Sequence, residues 1–236
     1  MASWFLDLRA AAALLACFCT VSATSVIAAE AQTPPAPPPI SEAEQRLFMD
    51  AHLANLPDKA AVSYDYAKTG TLEPAFNDRV SLQVEKTASG RHTHVDYLSG
   101  KAALVLPDVD EANGNPVILS FLERDVREME RRTGGKANYF RKRVRLALAE
   151  SAQVEPVTME LAGRQVEAIR ISIRPYQNDP NQARFPTFTG KIYVFTISKE
   201  VPGMVYEMRT EVRAPQAPAE APPLVVERLV YSGTKP

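Results

Sequence analysis

Apolar residues recur along this chain in two rhythms, every second residue over most of its length and every third or fourth over one central block. The first is the period of a half-buried strand and the second that of an amphipathic helix. Alternation predicts strands over Ala61 to Tyr66, Arg79 to Lys86, His92 to Leu98 and Lys101 to Leu106. It predicts others over Val157 to Leu161, Gln165 to Arg174, Lys191 to Ser198, Met204 to Arg213 and Leu224 to Ser232. Gly90 and Gly100, the pair Ala162-Gly163 and the pair Pro202-Gly203 mark tight connections, so strands adjacent in sequence are expected to pair antiparallel. In the Gln165 segment the apolar phase slips from Val166 and Ala168 to Ile169, Ile171 and Ile173, which predicts a bulge. The Pro- and Asn-rich stretch from Tyr176 to Thr189 reads as a surface loop, as does Ala214 to Pro223.

The helical block runs from Asn115 to Glu150. Asn115 is a suitable cap, Pro116 suits a first helical position, and Gly134 supplies a left-handed stop. Ile118, Phe121, Leu122, Val126 and Met129 form one stripe, with Glu123–Arg127 and Glu128–Arg132 as acid-before-base pairs on the polar side. A second helix is expected from about Tyr139, capped by Asn138, with Phe140, Val144, Ala147 and Leu148 buried. Its polar side carries Arg141, Lys142, Arg143 and Arg145, with no acid three or four residues away. Three of these cations sit in the first turns, where they oppose the helix dipole.

Arg9 precedes an apolar run from Ala10 through Val26, and Ala29-Glu30-Ala31 resembles a signal-peptidase site, so residues 1–31 read as a secretory signal. Cleavage is expected before Gln32, with Ala29 as the alternative; lipid anchoring at Cys17 is disfavoured because the apolar run before it is short. Residues 32–40 form a proline-rich linker and 41–236 a single domain, opened by the capping box Ser41-Glu42-Ala43-Glu44 and a helix to about Leu56. Both cysteines belong to the removed segment, so disulfides and thiolate chemistry are excluded from the mature chain. The mature protein balances 26 bases with 26 acids, but Glu123 to Arg145 alone carries nine bases and four acids. That segregation disfavours a general nucleic-acid binder and marks one basic surface.

The expected fold is α+β: about nine antiparallel strands in a curved sheet covering an inserted helical pair, with a short N-terminal helix. In this order of elements the chain resembles the incomplete β-barrel of the outer-membrane lipoprotein carriers of the Lol pathway and related periplasmic lipid-sensing domains. The resemblance covers roughly Leu56 to Gly233 and is architectural, so it transfers no individual residue. It implies an apolar cavity between sheet and helices, able to hold an acyl chain.

Arg91-His92-Thr93-His94-Val95-Asp96 is the sharpest chemical string. His92, His94 and Asp96 share one strand face and could meet at zinc, as in the H-x-H-x-D motif of metallo-β-lactamase-type hydrolases. That motif continues to a histidine where Tyr97 stands, and His52 is the only other histidine, so no metal is expected. Asp108 and Asp110 lie in a polar loop that matches an EF-hand only in part, because no Glu follows at the twelfth position. Gly134-Gly135-Lys136-Ala137 lacks the first glycine and the hydroxyl of a phosphate loop, and no G-x-S-x-G occurs. The chain therefore reads as a non-enzymatic, cofactor-free periplasmic binding protein without an integral membrane segment once the signal is removed. Its expected ligand is a lipid or lipidated partner, with Arg141, Lys142 and Arg145 on the anionic head. The alternative is an envelope protein–protein interaction module using the basic helix, and a metal-dependent hydrolase stands third.

Overall fold

The computed structural model describes residues 39–218 and 220–235; the expected secretory signal and most of the expected proline-rich linker lie outside them. Eight strands form one antiparallel sheet: β1 (Lys59–Thr69), β2 (Phe76–Lys86), β3 (Arg91–Tyr97), β4 (Gln153–Leu161), β5 (Arg164–Ile173), β6 (Ile192–Ile197), β7 (Val205–Val212) and β8 (Val225–Lys235). Their spatial order is β3-β2-β1-β8-β7-β6-β5-β4, so the last strand closes back against the first and the sheet ends at β3 and β4. Side chains from both halves of this sheet share one core with the helices, among them Leu82, Tyr97, Leu229, Phe195 and Ile171 with Ile118, Phe121 and Phe140. A flat sheet of this width could not bring them together. The sheet curls around the helices without closing, an incomplete barrel.

The expected fourth strand over Lys101 to Leu106 is absent, which makes the count among the described residues eight rather than nine. Gly100–Ala102 is instead a 3-10 turn. The chain beyond it forms no ladder with β3, meeting it in strand fashion only at the isolated bridges Tyr97↔Leu104 and Thr93↔Val109. Pro107 between them has no N–H to offer a ladder. We call Leu104 to Ala112 the strap.

Helix α1 (Glu42–Glu44) has the expected capping box: the Ser41 hydroxyl accepts from the Glu44 amide at 3.1 Å, and the Ser41 amide donates to the Glu44 carboxylate at 3.0 Å. It does not run on to Leu56. A wide turn over Gln45–Met49 ends at the extended Asp50, and His52–Asn55 forms a separate 3-10 turn. Helix α2 (Val117–Thr133) follows Pro116, the Asn115 carboxamide accepting from the Val117 amide at 3.1 Å, and stops at Gly134 with φ 67°. Helix α3 (Ala137–Glu150) starts before the expected Asn138 cap. Its first amide is taken by Glu130 of α2 at 3.1 Å, while the Asn138 carboxamide accepts from Arg141 at 2.6 Å.

The predicted bulge in β5 is not there, because its register with β4 runs unbroken from Gln153↔Ser172 to Leu161↔Arg164. Register shifts occur instead between Thr196 and Ile197 in the β6–β7 pair and between Ser63 and Tyr64 in the β1–β8 pair. The slipped apolar phase has another cause. Ile171 and Ile173 join the main core, whereas the buried Val166 and Ala168 stand outside that cluster, on the strand's other parity. The Tyr176 to Thr189 stretch is likewise no simple surface loop. Tyr176, Asp179, Phe185 and Phe188 are buried in it, and Phe140 packs edge-on against both Tyr176 and Phe185 at 5.8 Å.

Candidate functional site: an apolar groove under the strap

Between the helical pair and the free edge of β3 lies a groove of about 610 Å³. Phe48, Val95, Leu106, Leu122, Val126, Val144 and Leu148 line it, with Thr93 and Ser120 among few polar groups. It forms because β3 has no strand neighbour on its outer side. The strap offers Val105, Leu106, Pro107 and Val109 as a wall but leaves a gap between itself and α2 and α3. Three wall residues remain open to solvent although apolar: Val105 is 89% exposed, Leu119 60% and Val109 41%. Exposed apolar side chains gathered around one concavity, rather than scattered, mark a binding surface. A volume of this size lies in the ordinary range for small-molecule pockets. A larger cleft of about 850 Å³ beside β4 to β6 carries Arg46, Asp50, Arg164, Glu167, Lys199 and Glu200 in its lining. So charged a surface suits water better than an apolar ligand.

The groove's mouth is basic. Arg127, Arg141 and Arg145 border it together with Glu44 and Glu123. Arg141 is not free, since it donates to Glu123 at 2.7 and 2.9 Å, and Arg127 shares the same carboxylate at 3.0 Å. These two arginines hold the Glu123 carboxyl below its ordinary value, Arg141 through the larger hydrogen bond. Arg143 pairs with the buried Asp179 at 2.8 Å. Among the described residues Arg145 and Lys142 take part in no ion pair, and both are exposed. Arg145 borders the groove; Lys142 is its neighbour three residues back on α3 but lies outside the lining. Of the three expected head-group contacts, the structure thus brings Arg141 and Arg145 to the mouth and leaves Lys142 beside it.

Much of the basic excess in the helical block is neutralised across elements, which local spacing could not reveal. Glu73, in the β1–β2 loop, takes hydrogen bonds from Lys68, from Arg131 at 2.7 Å and from Arg132 at 2.8 Å. Burial works against its charge, yet Lys68, Arg131 and Arg132 together hold the carboxyl down at about 2. Arg124 lies near Glu227 at 3.7 Å and donates to the Tyr66 hydroxyl at 3.2 Å. Deeper still, Asp125 of α2 is buried against Lys191 and the Tyr193 hydroxyl at the start of β6. Burial first, then the Asp125 charge, pushes the Tyr193 phenol well above its usual range.

The histidine string takes a different role from the one its motif suggests. His92 and His94 stand opposite the strap's aspartates. His92 Nδ1 meets Asp110 at 2.7 Å, His94 Nδ1 meets Asp108 at 2.6 Å and His94 Nε2 meets Asp96 at 3.2 Å. Among the described residues no three His, Cys, Asp or Glu side chains converge where a metal ion could sit. The loop acids Asp108 and Asp110 are accordingly exposed partners of the imidazoles. The third histidine, His52, is buried at the start of α2. Its Nδ1 accepts from the Asn115 amide at 3.1 Å, so Nε2 donates to the Arg46 carbonyl at 2.7 Å, and burial lowers its pKa.

No family model matches the chain, and no curated protein matches it in sequence. Among solved structures, the lipoprotein LppX of Mycobacterium tuberculosis aligns at 10% identity over 80% of this chain and 92% of its own, with a TM-score of 0.33. A LolA superfamily protein of Nitrosomonas europaea aligns at 9% identity over 81% of this chain and 92% of its own, with a TM-score of 0.23. Both are distant likenesses, and the reading of the groove rests on its own geometry. No helix among the described residues is long and apolar enough to cross a membrane.

Proposed function

We propose that this protein is an exported binding protein that holds the apolar chain of a lipid or lipidated partner in the groove between α2, α3 and the strap, with Arg145 meeting an anionic head. The observation that carries this reading is the groove itself: an open apolar concavity whose exposed walls, Val105, Leu119 and Val109, have nothing to bury against. Burial of a hydrocarbon chain is worth roughly 0.8 kcal/mol per methylene, so about ten methylenes supply about 8 kcal/mol before the cost of association. A partly exposed ion pair at the mouth adds about 1 kcal/mol or less. The chain therefore sets affinity, and Arg145 sets orientation. Arg141 contributes only if a head group draws it from Glu123.

Native mass spectrometry and solvent extraction of protein purified from a lipid-containing host test this directly. The reading expects co-purifying lipid, or a one-to-one adduct with an added fatty acid. Preparations that stay empty after incubation with single- and double-chain lipids contradict it.

A further inference from the structure

The strap that walls the groove is held to β3 in two unlike ways. On the backbone it has only the bridging bonds Thr93 to Val109 at 2.9 Å, Val109 to Thr93 at 3.0 Å, Leu104 to Tyr97 at 2.9 Å and Ala112 to Arg91 at 2.9 Å. On the side chains it has a continuous row, Asp110, His92, Asp108, His94, Asp96, in which each imidazole faces a carboxylate at both nitrogens. His92 Nε2 completes the row at 3.4 Å from Asp108. Strand alternation puts this row on one face while Thr93, Val95 and Val109 face the groove on the other.

We infer that this row is a charge-dependent clasp: it keeps the strap closed over the groove while both imidazoles are protonated, and its loss of charge loosens the strap and speeds release of the bound chain. The inference rests on the groove being the binding site. A carboxylate only accepts, and an imidazole can donate from both nitrogens only as the cation. Once neutral, one nitrogen of each ring turns a lone pair toward a carboxylate.

The surroundings sharpen the effect. Glu85 faces His92 from β2, Gln83 lies opposite His94 and donates to Asp96 at 3.2 Å, and Glu111 is exposed on the strap. Arg91, the nearest cation on β3, turns away to the carbonyls of Leu56 and Pro57 at 2.8 Å each. Neutral histidines would thus leave carboxylates facing carboxylates. The hydrogen bonds that His92 donates to Asp110 and His94 donates to Asp108 are the chief reasons both imidazole pKa values are raised. A raised value means that the clasp is complete below 6.5, the ordinary imidazole value, and is lost as pH rises through the folded values. It fails again in strong acid, as Asp108, whose carboxyl His94 holds below its usual range, takes up a proton.

Two measurements in the presence of a chelator test this: amide hydrogen exchange at Leu104, Val109 and Ala112 relative to amides of α2, and dissociation of a fluorescent fatty acid. Each is run on the acid and alkaline sides of the imidazole range. For two exposed imidazoles the expected loss of strap protection on the alkaline side is about fivefold, with dissociation faster by a similar factor. The His92→Gln/His94→Gln variant should be poorly protected and flat across the same range. A wild-type strap without a pH response, or an equal response in the variant, overturns the clasp. A responsive strap with unchanging dissociation overturns its control of release. Protection seen only without chelator assigns the histidines to a metal and overturns the clasp too. If no probe binds, the binding reading fails, and strap exchange alone decides the clasp.

Discussion

Asn115 draws four parts of the chain to one point. Its carboxamide donates to the Tyr64 hydroxyl at 2.9 Å and to the Gly203 carbonyl at 2.8 Å and accepts from Val117, while its own amide donates to His52. The sequence marked it as a helix cap, but its contacts with β1 and the β6–β7 turn had no local signal. Asn115→Ala should destabilise the fold by about 2–3 kcal/mol with an unchanged denaturant slope, because the carboxamide's buried partners lose their bonds. A loss below about 0.5 kcal/mol, the effect of an ordinary surface change, would show that the tie contributes little. Asp125 was overlooked although a clue existed: it occupies a stripe position between Phe121 and Met129, where an acid must find a partner. That partner, Lys191, is far away in sequence. Asp125→Asn should cost about 3–5 kcal/mol by leaving the Lys191 ammonium buried and uncompensated, measured by equilibrium unfolding. If Lys191→Met in that background restores nothing, the stranded charge is not the cause.

At the scale of elements, periodicity located the two long helices and the eight strands of the described residues, since all but the half-exposed β4 bury a face whose spacing is written locally. It erred where long-range partners decide the outcome. The strap has strand-like alternation but no neighbour beyond β3, and the Tyr176 loop is buried because Phe140 and Tyr139 of α3 recruit it. The β1–β2 loop is fixed to the end of α2 through Glu73, with consequences in acid. Its carboxyl titrates at about 2 instead of 4.5, so the stabilisation it gives is fully present above 4.5 and is lost as pH falls toward 2. Unfolding free energies of wild type and Glu73→Gln should converge over that interval. A constant difference between them would mean that the carboxylate's charge is not what anchors the loop.

For the whole molecule, a sheet that curls without closing leaves two free edges, and the inserted helices fill its concavity except beside β3. That remainder is the groove. The architecture was legible because helix-period and strand-period segments are cleanly separated along the chain. The groove's location was not, because it depends on the strap failing to become a ninth strand. Nor could composition show that Arg141 is engaged by Glu123 while Arg145 stands free of ion pairs among the described residues. The central claim is that this concavity binds an apolar chain, and titration with a fluorescent single-chain fatty acid tests it most directly. Saturable one-to-one binding is predicted, weakened at least about tenfold by Leu119→Glu, which puts a charge in the apolar wall, and less by Arg145→Glu. Thermal unfolding should be nearly unchanged in both variants, whose side chains are exposed. No saturable binding, or binding indifferent to Leu119→Glu, would contradict the account.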